Sequence, residues 1–237
     1  MKILSAHQPA YLPWLGYLHK IALDDEFIIL DNVQFEKNSF INRNKIKTAN
    51  GSIFLTIPIE MKGHINKTIF EMKIDEKTNW RKKHWDSIYF SYKKADFFNE
   101  SSDFFENYYK QTLTSSFVEF NNGITQFILK NLGINTPIKL QSNININSSK
   151  QDLIIDLCKE TNASAFFFGA QGVNYVDENI FKKNNISCFF QNYNHPKYKQ
   201  LWGSFEPYQS ILDVIFNIGF NNTKSILFDN NIKQLNS

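Results

Sequence analysis

The chain has 237 residues, enough for one large or two small domains, and at 42% hydrophobic and 16% aromatic it holds too much apolar material for intrinsic disorder. Its net charge of +3, from 26 basic and 23 acidic residues, lacks the dense basic excess of a general nucleic-acid binder. The two cysteines, Cys158 and Cys188, form no CxxC pair and read as small buried hydrophobes, which excludes a disulfide framework.

In chain order, KILSA is a strand, GYLHKIALDDE a helix and FIILDNVQF an apolar strand ending in polar residues. SIFLTIPIE reads as a third strand after the turn-like TANGS. Residues 75–132 change character. TNWRKKHWDSIYFSYKK, DFFENYYKQTL and SFVEFNNGITQFILKNLG carry helical spacing and predict a helical subdomain. From 137 the alternation resumes with the strand PIKLQS and the helix SSKQDLIIDLCKET, N-capped by Ser148 or Ser149. ASAFFFG and ISCFFQNY are strands on either side of the short helix ENIFKKN, and QSILDVIFNIG is a helix before a polar tail.

Continuous apolar strands separated by helices predict an α/β fold, a parallel doubly wound sheet covered on both faces. The expected organisation is one α/β domain over 1–237 with the helical subdomain inserted at about 75–132. No apolar run approaches the roughly 20 residues that span a bilayer, and MKILSAHQPA has no apolar leader core. A cytoplasmic protein with no membrane span is expected.

Ligands in open parallel sheets bind beyond the carboxyl ends of the strands. The first strand delivers His7, Gln8, Tyr11 and Trp14 to that edge, and the second delivers Asp31, Asn32 and Gln34. AFFF delivers Gly169, Gln171, Gly172, Asn174 and Tyr175; ISCFFQ delivers Gln191, Asn194, His195 and Tyr198. Four strand ends unloading polar side chains predict one pocket. Pro9 and Pro13 hold the first corner rigid by fixing φ. Tyr11 and Trp14 either cover the sheet or form an aromatic platform for a sugar or base. Asp31 ends an apolar strand, so it is solvent-facing, functional, or paired with a base such as Arg43 or Lys45. His19 reads as structural, and His64 and His84 as surface residues. KTNWRKKHW at 77–85 reads as the wet face of a helix.

Walker A, GxGxxG, GxSxG and HExxH patterns are absent, and the five histidines and two cysteines show no metal-ligand spacing.

HQPAYLPWLGYLHKI, FIILDNVQF, NRNKI at 42–46, GAQGVNYVDENIF, FFQNYNHPKY and FEPYQSILDVIFNIG follow in order the blocks of the WbqC-like protein family, which the chain resembles essentially end to end. That resemblance implies a role in bacterial O-antigen or other surface-polysaccharide synthesis, for which glycine transfer to an amino sugar has been suggested. The first forty residues also resemble HIGH-type nucleotidyltransferases and pantothenate synthetase, which implies a HUP-like sheet. In those folds two histidines flank the glycine. Here the stretch is Trp14-Leu15-Gly16-Tyr17, so the glycine is present and both histidines are replaced.

The family resemblance implies an acyl or aminoacyl transfer onto a nucleotide-linked amino sugar. Such chemistry needs a general base, for which His7 or His195 is the candidate, with Asp31 to orient the imidazole or hold the amine. Amides around Gly169–Gly172 would receive the oxyanion, and Tyr11, Trp14 and Tyr175 would stack on sugar or base. Arg43 and Lys45 would hold a diphosphate. Gln8, Asn32, Gln34, Gln171 and Tyr198 are further substrate-binding candidates. The donor stays open among glycine with ATP and magnesium, an acyl thioester and an aminoacyl-tRNA. An ATP-dependent ligase or nucleotidyltransferase and a non-catalytic sugar-binding protein are the alternatives.

Overall fold

A computed structural model describes residues 1–37, 39–228 and 235–236. Its centre is a sheet in the order β5-β2-β1-β6-β7-β8. The strands are β1 (Ile3–His7), β2 (Glu26–Ile29), β5 (Ile138–Leu140), β6 (Ala165–Phe168), β7 (Ser187–Gln191) and β8 (Leu235–Asn236). The first five run parallel, and β8 pairs antiparallel to β7. The fold is a doubly wound α/β sheet flanked by helices, as the strand–helix alternation predicts.

Side-chain alternation along the strands feeds two cores. Phe27 and Ile29 of β2 join one core, with helices α1 (Leu15–Leu23) and α7 (Ile211–Phe228). Ile28 points to the other, with Leu4, Ala6, Phe166 and Phe168 and helices α5 (Lys150–Glu160) and α6 (Glu178–Lys183). Both faces of the parallel strands are therefore covered, as buried βαβ units require.

The chain between β2 and β5 holds helices α2 (Trp80–Tyr92), α3 (Ser102–Gln111) and α4 (Phe117–Leu132), which all contribute to the α1–α7 core. Ser116 caps α4 by accepting the Glu119 amide at 3.2 Å, and Gly133 ends it in the left-handed region at φ 66°. Two expectations need correction. The stretch SIFLTIPIE supplies no strand to the main sheet: β4 (Gly51–Thr56) pairs antiparallel with β3 (Arg43–Thr48) as a separate ribbon. The tight connection at Ala49–Asn50, with Gly51 at φ 103°, closes a hairpin and is too short for a parallel crossover. The last helix also continues past Gly219. That residue breaks α7 at φ 77°, where a β-carbon would lie 2.6 Å from the Phe97 ring, and helix resumes to Phe228.

The neighbours of β1 position the site. On one side the chain winds outward through β2, and on the other through β6 and β7. The β1–β6 boundary is thus where the winding reverses, and a crevice opens at the carboxyl ends of such strands.

Candidate functional site

A cavity of about 810 Å³ occupies that crevice. β1 contributes Ala6, His7 and Gln8; the start of α1 contributes Trp14, Gly16, Tyr17 and Lys20. The opposite wall is the first turn of α5, with Lys150 and Gln151, and the turn after β6, from Gly169 to Gly172, with Tyr175 beyond it. Gln191 closes the end of β7, donating to the Gly16 carbonyl at 2.8 Å and meeting the His19 imidazole at 3.1 Å.

The corner after β1 divides its side chains between two environments. His7, Gln8 and Trp14 line the cavity. Tyr11 turns the other way: it is 0% exposed, and its hydroxyl meets His84 Nδ1 at 2.8 Å and the Tyr109 hydroxyl. Leu12 adopts φ 45°, an outlier for a bulky residue, and its carbonyl accepts from Asn44 Nδ2 at 2.7 Å. A stacking role for Tyr11 is therefore corrected, because no ligand reaches its ring without opening the core. His84 is likewise no surface residue. It is 7% exposed, packed edge-on against Trp80, and burial lowers its pKa to about 4.

His7 is the imidazole lining the cavity. Its Nδ1 lies 2.9 Å from the Gln8 carbonyl. A carbonyl only accepts, so Nδ1 holds the proton and the neutral ring keeps its lone pair on Nε2. Burial first, and then the nearby Lys20 charge, lower the pKa to about 4, against the raising effect of the Gln8 bond. The imidazole is neutral at pH 7. Trp14 and Tyr17 pack edge-on against it at 5.9 and 5.2 Å and fix its plane. The first turns of α1 and α5 both border the cavity, and neither has a side-chain cap, so their amide ends favour negative charge there.

Of the residues singled out from the sequence, His7, Gln8, Trp14, Gly169, Gln171, Gly172 and Tyr175 come together in this cavity. Gln191 joins them, and the others lie elsewhere. Asp31 is 0% exposed, and its two oxygens accept from the Ser142 amide at 2.8 Å and hydroxyl at 2.7 Å. Its partner is thus Ser142 in the segment after β5, in place of Arg43 or Lys45. Asn32 is exposed, and Gln34 bridges to Thr68 and donates to the Ile65 carbonyl at 3.2 Å. Arg43 and Lys45 sit on the β3–β4 ribbon. The Arg43 guanidinium stacks over Phe54 at 4.6 Å, and the Lys45 carbonyl accepts the Ser210 amide. The ribbon does not line the cavity because β3 pairs only with β4.

His195 belongs to a second cavity of about 640 Å³, between Tyr193, Phe205 and Tyr208. The Tyr208 amide donates to His195 Nε2 at 3.3 Å, which leaves the proton on Nδ1. Its lone pair is engaged by backbone, and burial lowers its pKa to about 4. Its Nδ1 is buried with no hydrogen-bond partner among the described residues. Tyr198 donates to Asp213 at 2.7 Å and helps anchor the same loop.

Sequence reasoning passed over Lys20, Tyr17, Lys150 and Gln151. Lys20 is 4% exposed on a helix whose residues from Leu15 to Ile21 are all buried. Its available signal was the i, i+4 spacing to Asp24 inside an apolar helix. For Lys150 and Gln151 the signal was position: the first turn of the helix preceding β6 faces the reversal point of the sheet.

Among the described residues no helix is long and apolar enough to cross a membrane. Comparison with known proteins bears on identity. A protein of Mycobacterium tuberculosis, described as the uncharacterized protein Rv1507c, is 36% identical over 220 residues, covering 92% of this chain and 95% of that protein. No solved structure matches the chain. The WbqC-like protein family matches residues 8–225, which include the β1 corner, the turn after β6 and the His195 loop. The chain belongs to the WbqC-like protein family.

Proposed function

We propose that this protein is an acyl or aminoacyl transferase, which forms an amide on the amine of a nucleotide-linked amino sugar for a bacterial surface polysaccharide. One observation carries the reading: His7, neutral and with its lone pair on Nε2, lines a cavity at the reversal point of the sheet. In the reaction the amine nitrogen attacks the acyl carbonyl carbon, the C–N bond forms, and the nitrogen proton passes to His7 Nε2. The bond to the donor's leaving group then breaks, and the imidazole returns its proton to that group. A bound anion offsets the Lys20 charge, the second cause of the low His7 pKa, and so acts in the direction of a stronger base. The Gly172 amide already donates to the Gly169 carbonyl at 2.8 Å, so the Ala170 and Gln171 amides of this turn are the donors for the oxyanion, and Trp14 and the exposed Tyr175 offer ring faces to the sugar. On this reading the reaction is cytoplasmic, because nucleotide-linked sugars are made there.

The test is amide formation on nucleotide-linked amino sugars, with glycine plus ATP and magnesium, glycyl thioester or glycyl-tRNA as donor. His7→Ala should lower the rate about 10²–10⁴-fold while the protein stays folded. An unchanged rate removes His7 as base. Turnover only with ATP identifies the ligase alternative, and saturable sugar binding without turnover under any donor supports a binding protein.

A further inference from the structure

We propose that Lys20 is the anion-holding residue of this cavity and that the group it holds is a phosphoryl or diphosphoryl group. The inference takes from the amide-forming reading only that the cavity is the ligand site.

Lysine is rarely buried without a counter-charge. Lys20 is 4% exposed and lines the cavity. Its Nζ donates to the Ala6 carbonyl at 2.9 Å and, among the described residues, forms no ion pair with any carboxylate. Asp24, one turn on, acts on it through space; its Oδ2 accepts from the Ser5 hydroxyl and its Oδ1 is buried without a hydrogen-bond partner, so neither oxygen bonds Lys20 Nζ. An ammonium has three donors, so Lys20 keeps hydrogen-bonding capacity beyond its single carbonyl bond.

The rest of the cavity has the same sign. Lys150 stands on the opposite wall at the first turn of α5, and among the described residues no aspartate or glutamate lines the cavity. The polar groups that accompany the two lysines include the Gln8, Gln151 and Gln171 side-chain amides, all able to donate to an oxyanion. Two cations on separate walls suit a group with two or more negative charges and several acceptor oxygens. A single carboxylate would engage only one wall. Burial lowers the Lys20 pKa to about 8, which leaves the ammonium mostly charged at pH 7, and a bound phosphoryl group would hold it in that form.

Calorimetric titration of the full chain with inorganic pyrophosphate tests this, with acetate and glycine as monocarboxylate controls. Wild type should bind pyrophosphate saturably and give no heat with either control. Lys20→Met keeps an unbranched apolar stem and removes the charge; it should bind pyrophosphate at least ten-fold more weakly, and Lys20→Arg should bind more tightly than Lys20→Met. Lys150 is exposed, so Lys150→Ala provides a second variant should Lys20→Met fail to fold, and it should weaken binding several-fold. No pyrophosphate binding, equal binding by acetate, or undiminished binding in folded Lys20→Met or Lys150→Ala overturns the proposal. Pyrophosphate binding in a protein that forms no amide would remove the transferase reading and leave this one. Amide formation without pyrophosphate binding would do the reverse.

Discussion

Tyr11 and His84 stand 73 positions apart, and the Tyr11 hydroxyl meets His84 Nδ1 at 2.8 Å in a fully enclosed setting. The pair joins the corner after β1 to α2, with the Tyr109 hydroxyl of α3 completing the cluster. It fixes the inner side of the corner whose outer side carries His7 and Trp14. Removing the hydroxyl strands two buried polar partners, and each such group costs about 1–3 kcal/mol. Tyr11→Phe should therefore lose about 2 kcal/mol in chemical denaturation. A loss below a few tenths would mean the cluster is not buried as described.

The imidazoles give stability a pH dependence. His7, His84 and His195 each have a pKa lowered from 6.5 to about 4, chiefly by burial. Above about pH 6.5 folded and unfolded forms are both neutral. Between 6.5 and 4 the unfolded imidazoles take up protons that the folded ones refuse, so stability falls as pH drops through this window. Asp24 and Asp213, whose pKa values burial raises, bind protons preferentially in the folded state and oppose the trend. Comparing wild type with His84→Asn isolates one histidine. The variant should be less stable throughout, and its unfolding free energy should fall less between pH 7 and 5. Parallel curves would count against a neutral buried His84.

Two glycines of the turn after β6 predict opposite outcomes. A β-carbon on Gly172 would lie 2.7 Å from Phe168 Cβ and 3.0 Å from the Phe190 ring, whereas one on Gly169 meets nothing within 4 Å. Gly172→Ala should cost about 1–3 kcal/mol through overpacking and weaken any ligand of the cavity. Gly169→Ala should be neutral or stabilise by up to about 1 kcal/mol, since its φ of −65° suits alanine. Thermal melts and ligand titrations of both variants provide the check; equal effects would show that the turn is not packed as described.

Asp213 ties the loop carrying His195 to α7. It accepts from Tyr92 at 3.0 Å, Tyr198 at 2.7 Å and Gln200 at 2.7 Å. Asp213→Ala leaves these donors unpaired, so a loss of about 3 kcal/mol or more is expected from several groups costing about 1–3 each. Amide exchange over 192–210 should accelerate more than exchange in the central strands. Uniform acceleration would mean that the network does not act locally.

The sequence by itself determined the sheet and its helices. Apolar runs such as AFFF and the alternation of strand and helix are local signals, because burial on both faces demands apolar residues at every position. It also determined that β1 and β6 end in polar groups, and hence part of the cavity. Tertiary structure alone decided which of those groups meet. Tyr11 and Trp14 are three residues apart on an irregular corner with no period, so nothing local assigns one to the core and the other to the cavity. Asp31 finds Ser142 across 111 positions, and that partner exists only because β5 pairs beside β2. The ribbon that removes Arg43 and Lys45 from the cavity depends on β3 pairing with β4 and with no strand of the sheet. Lys20 reads in sequence as an ordinary helix lysine that could reach solvent. Its burial follows from packing α1 between β1 and α7, a long-range arrangement that no local pattern records.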